Sequence, residues 1–464
     1  MTSEPILRGP RVGGPLPGPR SAALLERQRR HESNARSYPR RLPVALRRGQ
    51  GSYVEDVDGN VFIDFLTAAG VLPLGHTHPD VVAATKAQLD LLVTGLDFPT
   101  QVKYDFVDAH LALLPPEMRE HVRFQFCGPA GADAVDAALK LCKTATGRGT
   151  VLAFHGAFHG STHSALALTG FVAPKEPLAN LMPGVHFLPF PYAYRCPLGA
   201  EPSECGQRCI DYVERVLRDP ASGIPRPAAV IIEAVQGEGG VIPASVEFLR
   251  GLRRVTAELD IPLIVDEIQT GYGRTGHWFA FEAAGITPDV VLMSKAAGGI
   301  GLPTALIAYH EKLDRWAPAA HTGTFRGNQL AFAAGLTAIN VMRETDILEN
   351  VVAQGKHAME RLGALADEVP EVGDVRGRGL MLGVEVIEPG SGRPDGDLGR
   401  RIQRRALENG LMLEVGGRGG EVVRLLPPLN IDRPTLDLAL DILSDAVLHS
   451  VSTGGPGASR PDER

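Results

Sequence analysis

Through the middle of the chain, short apolar runs alternate with stretches whose apolar positions recur at helical spacing. The runs at 122–127, 150–154, 229–233, 262–268, 290–294 and 305–309 are nearly all apolar, which predicts strands buried on both faces of a sheet. Between them, 132–145 places Val135, Ala138, Leu139 and Cys142 on one stripe, and 246–259 does the same with Leu249, Leu252 and Leu259, so both predict helices. Such alternation predicts an α/β fold, a mainly parallel sheet wrapped by helices. Ahead of it, 53–65 carries Asp58-Gly59-Asn60 between two apolar runs and predicts a hairpin. After about residue 328 a long helical stretch leads to strand patterns at 380–386 and 422–425 and a helix near 434–449. The expected organisation is a mobile, disordered arm at 1–20, a large α/β domain at 95–327, and a smaller α+β domain assembled from 21–94 and 328–451. A frayed tail at 452–464 completes it.

Composition narrows the class of molecule. With 464 residues, 44% hydrophobic and 22% charged, the chain is long enough for a large two-layer core and too ordinary for wholesale disorder. A net charge of −7 supplies no basic field for nucleic acid. Charge is uneven, however: residues 1–50 hold eleven Arg and three Glu, a local +8 that leaves −15 for the rest. The segment 27–48 therefore reads either as a basic docking segment against a partner subunit or as a solvated tail. No apolar stretch approaches a membrane span, no signal pattern opens the chain, and five cysteines form no even disulfide framework. A cytoplasmic protein with free thiols is expected.

The chemistry concentrates where the strands end. Asp266 closes the apolar run Leu263-Ile264-Val265, and a buried carboxylate there requires a cation or a hydrogen-bond donor. Lys295 follows the run at 290–294, 29 residues later, and precedes Ala296-Ala297-Gly298-Gly299. In a parallel sheet both run-ends open onto the edge where ligands bind. A lysine beside an acid is ordinarily an ion pair; the glycines after Lys295 instead leave room for a ligand over a working amine. Amines so placed form Schiff bases, and a carboxylate that keeps a pyridine nitrogen protonated completes what pyridoxal phosphate requires. Gly128-Pro129-Ala130-Gly131-Ala132 lies at a strand-to-helix junction whose backbone N–H groups suit a phosphate, although Asp133 and Asp136 could equally be helix caps. Phe154-His155-Gly156-Ala157-Phe158-His159-Gly160 offers aromatics in a glycine-broken loop.

These residues resemble the class III, or ω-type, pyridoxal-phosphate-dependent aminotransferases over about residues 45–430. The most specific elements are Val265-Asp266-Glu267-Ile268-Gln269, Ser294-Lys295 with Gly298-Gly299, and Gly323-Thr324-Phe325-Arg326-Gly327-Asn328. The resemblance implies fold type I, the aspartate aminotransferase-like arrangement, with pyridoxal phosphate on Lys295 and Asp266 at the ring nitrogen. Gln269 then bonds the ring hydroxyl, and Phe158 stacks on the ring with His159 beside it. The phosphate falls to the N–H groups of Gly131 and Ala132 and to Thr324 from the second subunit of a homodimer. Arg424 grips a substrate carboxylate, and Glu238 masks it when the donor presents an amine. Within the family, Glu32-Ser33-Asn34-Ala35-Arg36-Ser37-Tyr38-Pro39, Phe126-Cys127-Gly128-Pro129 and His321-Thr322-Gly323-Thr324 resemble the branch that uses L-2,4-diaminobutyrate as amino donor and 2-oxoglutarate as acceptor. Ornithine-specific members align a tyrosine with Ala69 and an arginine with Ser161, so a shorter diamino acid is expected. Ala130 departs from the Ser or Thr common in the branch, and Ala234 from a frequent proline.

Other readings compete. Gly271-Tyr272-Gly273-Arg274-Thr275-Gly276 fits the dinucleotide pattern Gly-x-Gly-x-x-Gly, yet aromatic His277-Trp278-Phe279 follows in place of a helix, and the next strand ends in lysine instead of an acid. An aminomutase would use the same cofactor constellation. Cys196, Cys205 and Cys209 lie in an insertion where zinc competes with ordinary reduced thiols; the spacing fits no established finger, so thiols without a metal are expected. Trp278, His310 and Trp316 could line a pocket, but packed or surface positions without a role are expected.

Overall fold

The computed structural model describes residues 6–453. Its centre is a seven-stranded sheet of β1 (Val122–Phe126), β2 (Val151–Phe154), β3 (Val185–Leu188), β4 (Ala229–Ile232), β5 (Leu263–Asp266), β6 (Val290–Met293) and β7 (Leu306–His310). Their order is β1-β7-β6-β5-β4-β2-β3, and β7 alone runs against the others. Successive residues feed opposite faces, as the period of two requires. Val151, Ala153, Ile231, Ile264 and Val290 join the cluster under α1 (Gly131–Thr146). Leu152, Phe154, Ile232, Val265 and Val291 join the larger core, with Leu249 and Leu252 of α3 (Val246–Glu258) behind them. The helix α2 (Cys205–Arg218) packs on α3.

Two expectations about this sheet need correction. The run 122–127 is not buried on both faces: β1 is an edge strand, and Arg123 at its exposed position follows from that. Its opposite edge, β3, escapes the apolar-run criterion because Val185-His186-Phe187-Leu188 is only half-buried.

The two ends of the chain meet in a second layer. The hairpin pairs Tyr53–Asp56 with Val61–Asp64, and the latter pairs in parallel with Leu411–Met412. A separate antiparallel sheet runs Val372–Arg378, Met381–Val386, Val422–Leu425, Glu414–Gly416. The long helical stretch after 328 is two helices, α4 (Gln329–Glu344) and α5 (Ile347–Glu368), because Asp346 adopts φ +47° between them. The final helix, α6, is Arg433–Ser452.

Residues 6–18, expected within the mobile arm, lie along the hairpin. Arg11 and Val61 exchange both backbone hydrogen bonds at 2.8 Å, Gly13 N donates to Asn60 Oδ1 at 2.9 Å, and Leu7 is buried. The helix Pro19–His31 is capped from outside, since Arg20 N and Ser21 N both donate to the Asp58 carboxylate at 2.8 Å. Within the basic segment Arg47 and Arg48 pair with Glu55 at 2.9 and 2.6 Å. Residues 1–5 and 454–464 of the expected arm and tail lie outside the described residues. Among the described residues no helix is long and apolar enough to cross a membrane. The decoy at 271–276 forms turns, with Tyr272, Gly273 and Gly276 at positive φ, and opens no helix.

Candidate active site

The carboxyl ends of β4, β5 and β6 carry one acid, one acid and one lysine onto the same edge. Asp266 is the register partner of Leu292, so Lys295 stands just past the end of the neighbouring strand. The bend that takes it there puts Lys295 at φ +47°, a left-handed conformation that costs a β-carbon-bearing residue roughly 1–2 kcal/mol. Ser294 anchors the bend by donating Oγ to Thr304 O at 2.8 Å. Burial lowers the Lys295 pKa, opposed by the charges of Glu238, Asp266 and Glu233 and assisted by Arg424. The structure therefore brings Lys295 and Asp266 into one electrostatic site.

Asp266 is buried and held from two directions: Ile268 N donates to Oδ1 at 3.1 Å, and His159 Nδ1 meets Oδ2 at 2.7 Å. A carboxylate has about four acceptor positions, so Asp266 keeps capacity for a further donor. The other nitrogen of His159, Nε2, is buried without a partner among the described residues. Phe158, 37% exposed, donates its backbone N–H to Glu233 Oε1 at 2.9 Å. The amino end of α1 reaches the same edge, since a β-carbon on Gly131 would sit 3.0 Å from Ile268, and one on Gly160 would sit 2.9 Å from Ala132. Ala130 offers no side-chain cap; Asp133 instead accepts the Ala130 N–H at 2.9 Å and lies against Gly128.

On the far side of Lys295, Gln269 donates Nε2 to Ala69 O at 3.2 Å and accepts from Arg424 Nη2 at 3.2 Å. Gly237 makes this possible: a β-carbon there would fall 1.8 Å from Gln269 Oε1. Arg424 is fully buried in the strand Val422–Leu425, with Nη1 2.8 Å from Glu238 Oε2 and 3.8 Å from Glu414 Oε2. Burial works against both charges of the pair, and their mutual attraction outweighs it: Glu238 is held below its usual range and Arg424 above its own. Glu414, less well placed, is pushed by burial up to about 6 in spite of Arg424. Arg424 Nε and Nη1 still lack a well-angled hydrogen bond, so the buried fork retains donors for another anion.

Thr324 lies outside these elements. It is exposed in the short turn Thr324–Gly327, next to Phe325 at 72% exposure. His310, at the far end of antiparallel β7, stacks on His121, and Trp316 packs against His321. Three groups near the site carry no role in the sequence reading. Glu233 follows β4 as Asp266 closes β5, so the same argument could have found it; burial pushes it up to about 7, with Asp266 adding to the effect and His159 opposing it. Glu414, a lone acid inside the apolar run 411–415, is open to the same argument, whereas Tyr38 lies far upstream and gives no such signal.

A buried lysine amine, a carboxylate with acceptor capacity, a helix amino end and an unsaturated guanidinium on one sheet edge fit pyridoxal phosphate and a carboxylate-bearing substrate. The profile of the family Aminotransferase class-III matches residues 34–447. The chain belongs to the class III aminotransferases, fold type I transferases that use pyridoxal phosphate. It is 50% identical over 436 residues to the diaminobutyrate–2-oxoglutarate aminotransferase of Rhizobium meliloti, covering 92% of each chain. It is 47% identical to the enzyme so named from Haemophilus influenzae, covering 88% of this chain and 91% of that one. Among solved structures, the PLP-bound amine transaminase of an uncultivated Pseudomonas species superposes with a TM-score of 0.82 at 26% identity, over 90% of this chain and 98% of its own. The ornithine aminotransferase of Toxoplasma gondii gives 0.80 at 25%, over 93% and 95%.

Proposed function

We propose that the enzyme moves the distal amine of L-2,4-diaminobutyrate to 2-oxoglutarate, giving L-aspartate 4-semialdehyde and L-glutamate in a reversible ping-pong cycle. The observation that carries this reading is Arg424, a guanidinium buried in an apolar strand and paired with Glu238 beside Lys295. A transaminase must accept two partners in one place: an oxo acid with a second carboxylate, and a donor with an amine. Arg424 suits the first as a bidentate clamp. Glu238 occupies the clamp when the second is bound, so that no buried guanidinium is left without a counter-charge.

Pyridoxal phosphate supplies an aldehyde that takes up the amine and a protonated ring that accepts the electrons of the broken C–H bond. The chain supplies the rest. Lys295 would hold the cofactor and then, freed, move a proton from the donor carbon; burial lowers its pKa, the direction that favours the neutral amine this work needs. Asp266 would accept the ring N–H, oriented by His159 and the Ile268 amide. Gln269 would meet the ring hydroxyl, Phe158 would cover a face of the ring with His159 beside it, and the N–H groups of Gly131 and Ala132 would hold the phosphate. Thr324, exposed in its turn, would serve the site of the second subunit of a homodimer.

The names of the two relatives above support diaminobutyrate as donor. So do Ala69 and Ser161, which supply neither the phenol nor the guanidinium that ornithine-specific members align there. The test is a panel of donors with 2-oxoglutarate (diaminobutyrate, ornithine, lysine and 4-aminobutyrate), with the released aldehyde identified. Diaminobutyrate should give the highest kcat/KM and the four-carbon semialdehyde. A clear preference for 4-aminobutyrate or ornithine would overturn the substrate assignment.

A further inference from the structure

The mechanism leaves one cluster of chemically potent side chains unused. Cys196, Cys205 and Cys209 come together where the loop after β3 meets α2, and their three sulfurs lie within 4.8 Å of one another. Cys205 and Cys209, four apart on the first turns of α2, are fully buried; Cys196 is half-buried and faces them from the loop. Sulfurs bound to one zinc ion at ~2.3 Å lie about 3.8 Å apart, so the spacing found is that of a common ion reached with small side-chain rotations.

The loop itself is shaped around Cys196. Pro197 follows it, Gly199 N closes a turn onto Cys196 O at 3.1 Å, and Gly199 takes φ +66°, where any other residue would be strained. That turn aims the backbone N–H groups of Leu198 and Ala200 at the Cys196 sulfur. Packing alone explains a buried thiol; it does not explain three that converge with amides directed at one of them.

We propose that Cys196, Cys205 and Cys209 form a three-thiolate site for a soft divalent metal ion of the zinc and cadmium class, its fourth position left to solvent. On binding, three S–H protons pass to the buffer and three S–metal bonds form, with no change in oxidation state. No fourth His, Asp or Glu joins the group among the described residues, which distinguishes it from a closed four-ligand finger.

The position gives the site a structural task. Immediately before Cys196, Tyr192 OH and Arg195 Nε both reach the buried carboxylate of Glu385, the latter at 2.6 Å, and Arg376 Nη1 meets Glu385 at 2.8 Å. Glu385 lies in Met381–Val386 of the separate antiparallel sheet. The loop is thus a strap from the large sheet to the smaller layer, and a metal at its end would fasten the strap to α2.

The test uses full-length, cofactor-loaded enzyme, freed of metal by dialysis against chelator and titrated with Cd²⁺, and separately with Zn²⁺. One ion per chain should bind, with a thiolate-to-cadmium charge-transfer absorption that saturates at one equivalent, and the melting temperature should rise with either ion. Cys196→Ser, at the half-buried position, should remove the absorption and weaken binding by more than about tenfold, the range set even by losing a group behind a ligand. Absence of both the absorption and the thermal shift in the unmodified protein would overturn the proposal. So would a Cys196→Ser enzyme that binds cadmium as before.

Discussion

At the scale of single residues, the site rests on charges that would be costly if left alone. Arg424 is fully buried in the strand Val422–Leu425, and Glu238 and Glu414 bring carboxylates to it. Neutralising Glu238 should therefore separate the two half-reactions. Glu238→Gln leaves the guanidinium without its near partner when an amine donor binds, and leaves the oxo-acid clamp intact. Single-turnover measurements should find kcat/KM for the donor half-reaction lowered about tenfold or more, equivalent to at least ~1.4 kcal/mol, and that for 2-oxoglutarate nearly unchanged. Equal losses in both halves would mean that Glu238 is merely structural. Asp266 and Lys295 are legible in the sequence because an acid and an amine at the ends of apolar runs demand an explanation. Glu414, a lone acid inside the apolar run 411–415, poses the same question, but only the fold supplies its partner, Arg424.

At the scale of elements, hydrophobic period serves well where burial is two-sided and poorly at edges. β4, β5 and β6 stand in the sequence as unbroken apolar runs, whereas β3 has a histidine and half-buried positions and leaves no such mark. The glycine-rich turn after β5 shows a second limit: a dinucleotide-like spacing arises here for a different reason. Its Arg274 is buried and donates Nη1 to Leu380 O at 3.2 Å and also to Pro427 O, tying the turn to residues that flank two neighbouring strands of the separate sheet. Burial lowers its pKa to about 9, so it remains charged at neutral pH and those carbonyls are its counter-dipoles. Arg274→Ala should cost about 2–4 kcal/mol in urea unfolding, from the lost charged hydrogen bonds and the cavity. A loss below ~0.5 kcal/mol would show that the brace carries no load.

At the scale of the whole molecule, the exposed position of Thr324 bears on the proposed homodimer, in which each active centre would draw this threonine from the other chain. Mixed dimers test this with cofactor release as the readout. Thr324→Ala homodimers should release pyridoxal phosphate roughly 10–100 times faster, as loss of a hydrogen bond to a charged group predicts. In dimers formed from one Thr324→Ala chain and one Lys295→Ala chain, the site that keeps Lys295 also receives an intact Thr324 from across the interface. That site should hold its cofactor as the unmodified enzyme does. Release at the Thr324→Ala rate would place the threonine in its own chain's site.

The proposed chemistry depends on the Lys295 amine, set past β6 at a left-handed backbone angle in the same site as Asp266. Borohydride reduction of the cofactor-loaded enzyme, followed by mapping of the labelled peptide, addresses it directly. The label should sit on Lys295 alone at one per chain, and Lys295→Ala should leave no reducible attachment. A label on another lysine, or a Lys295→Ala enzyme that still transaminates at the normal rate, would contradict it.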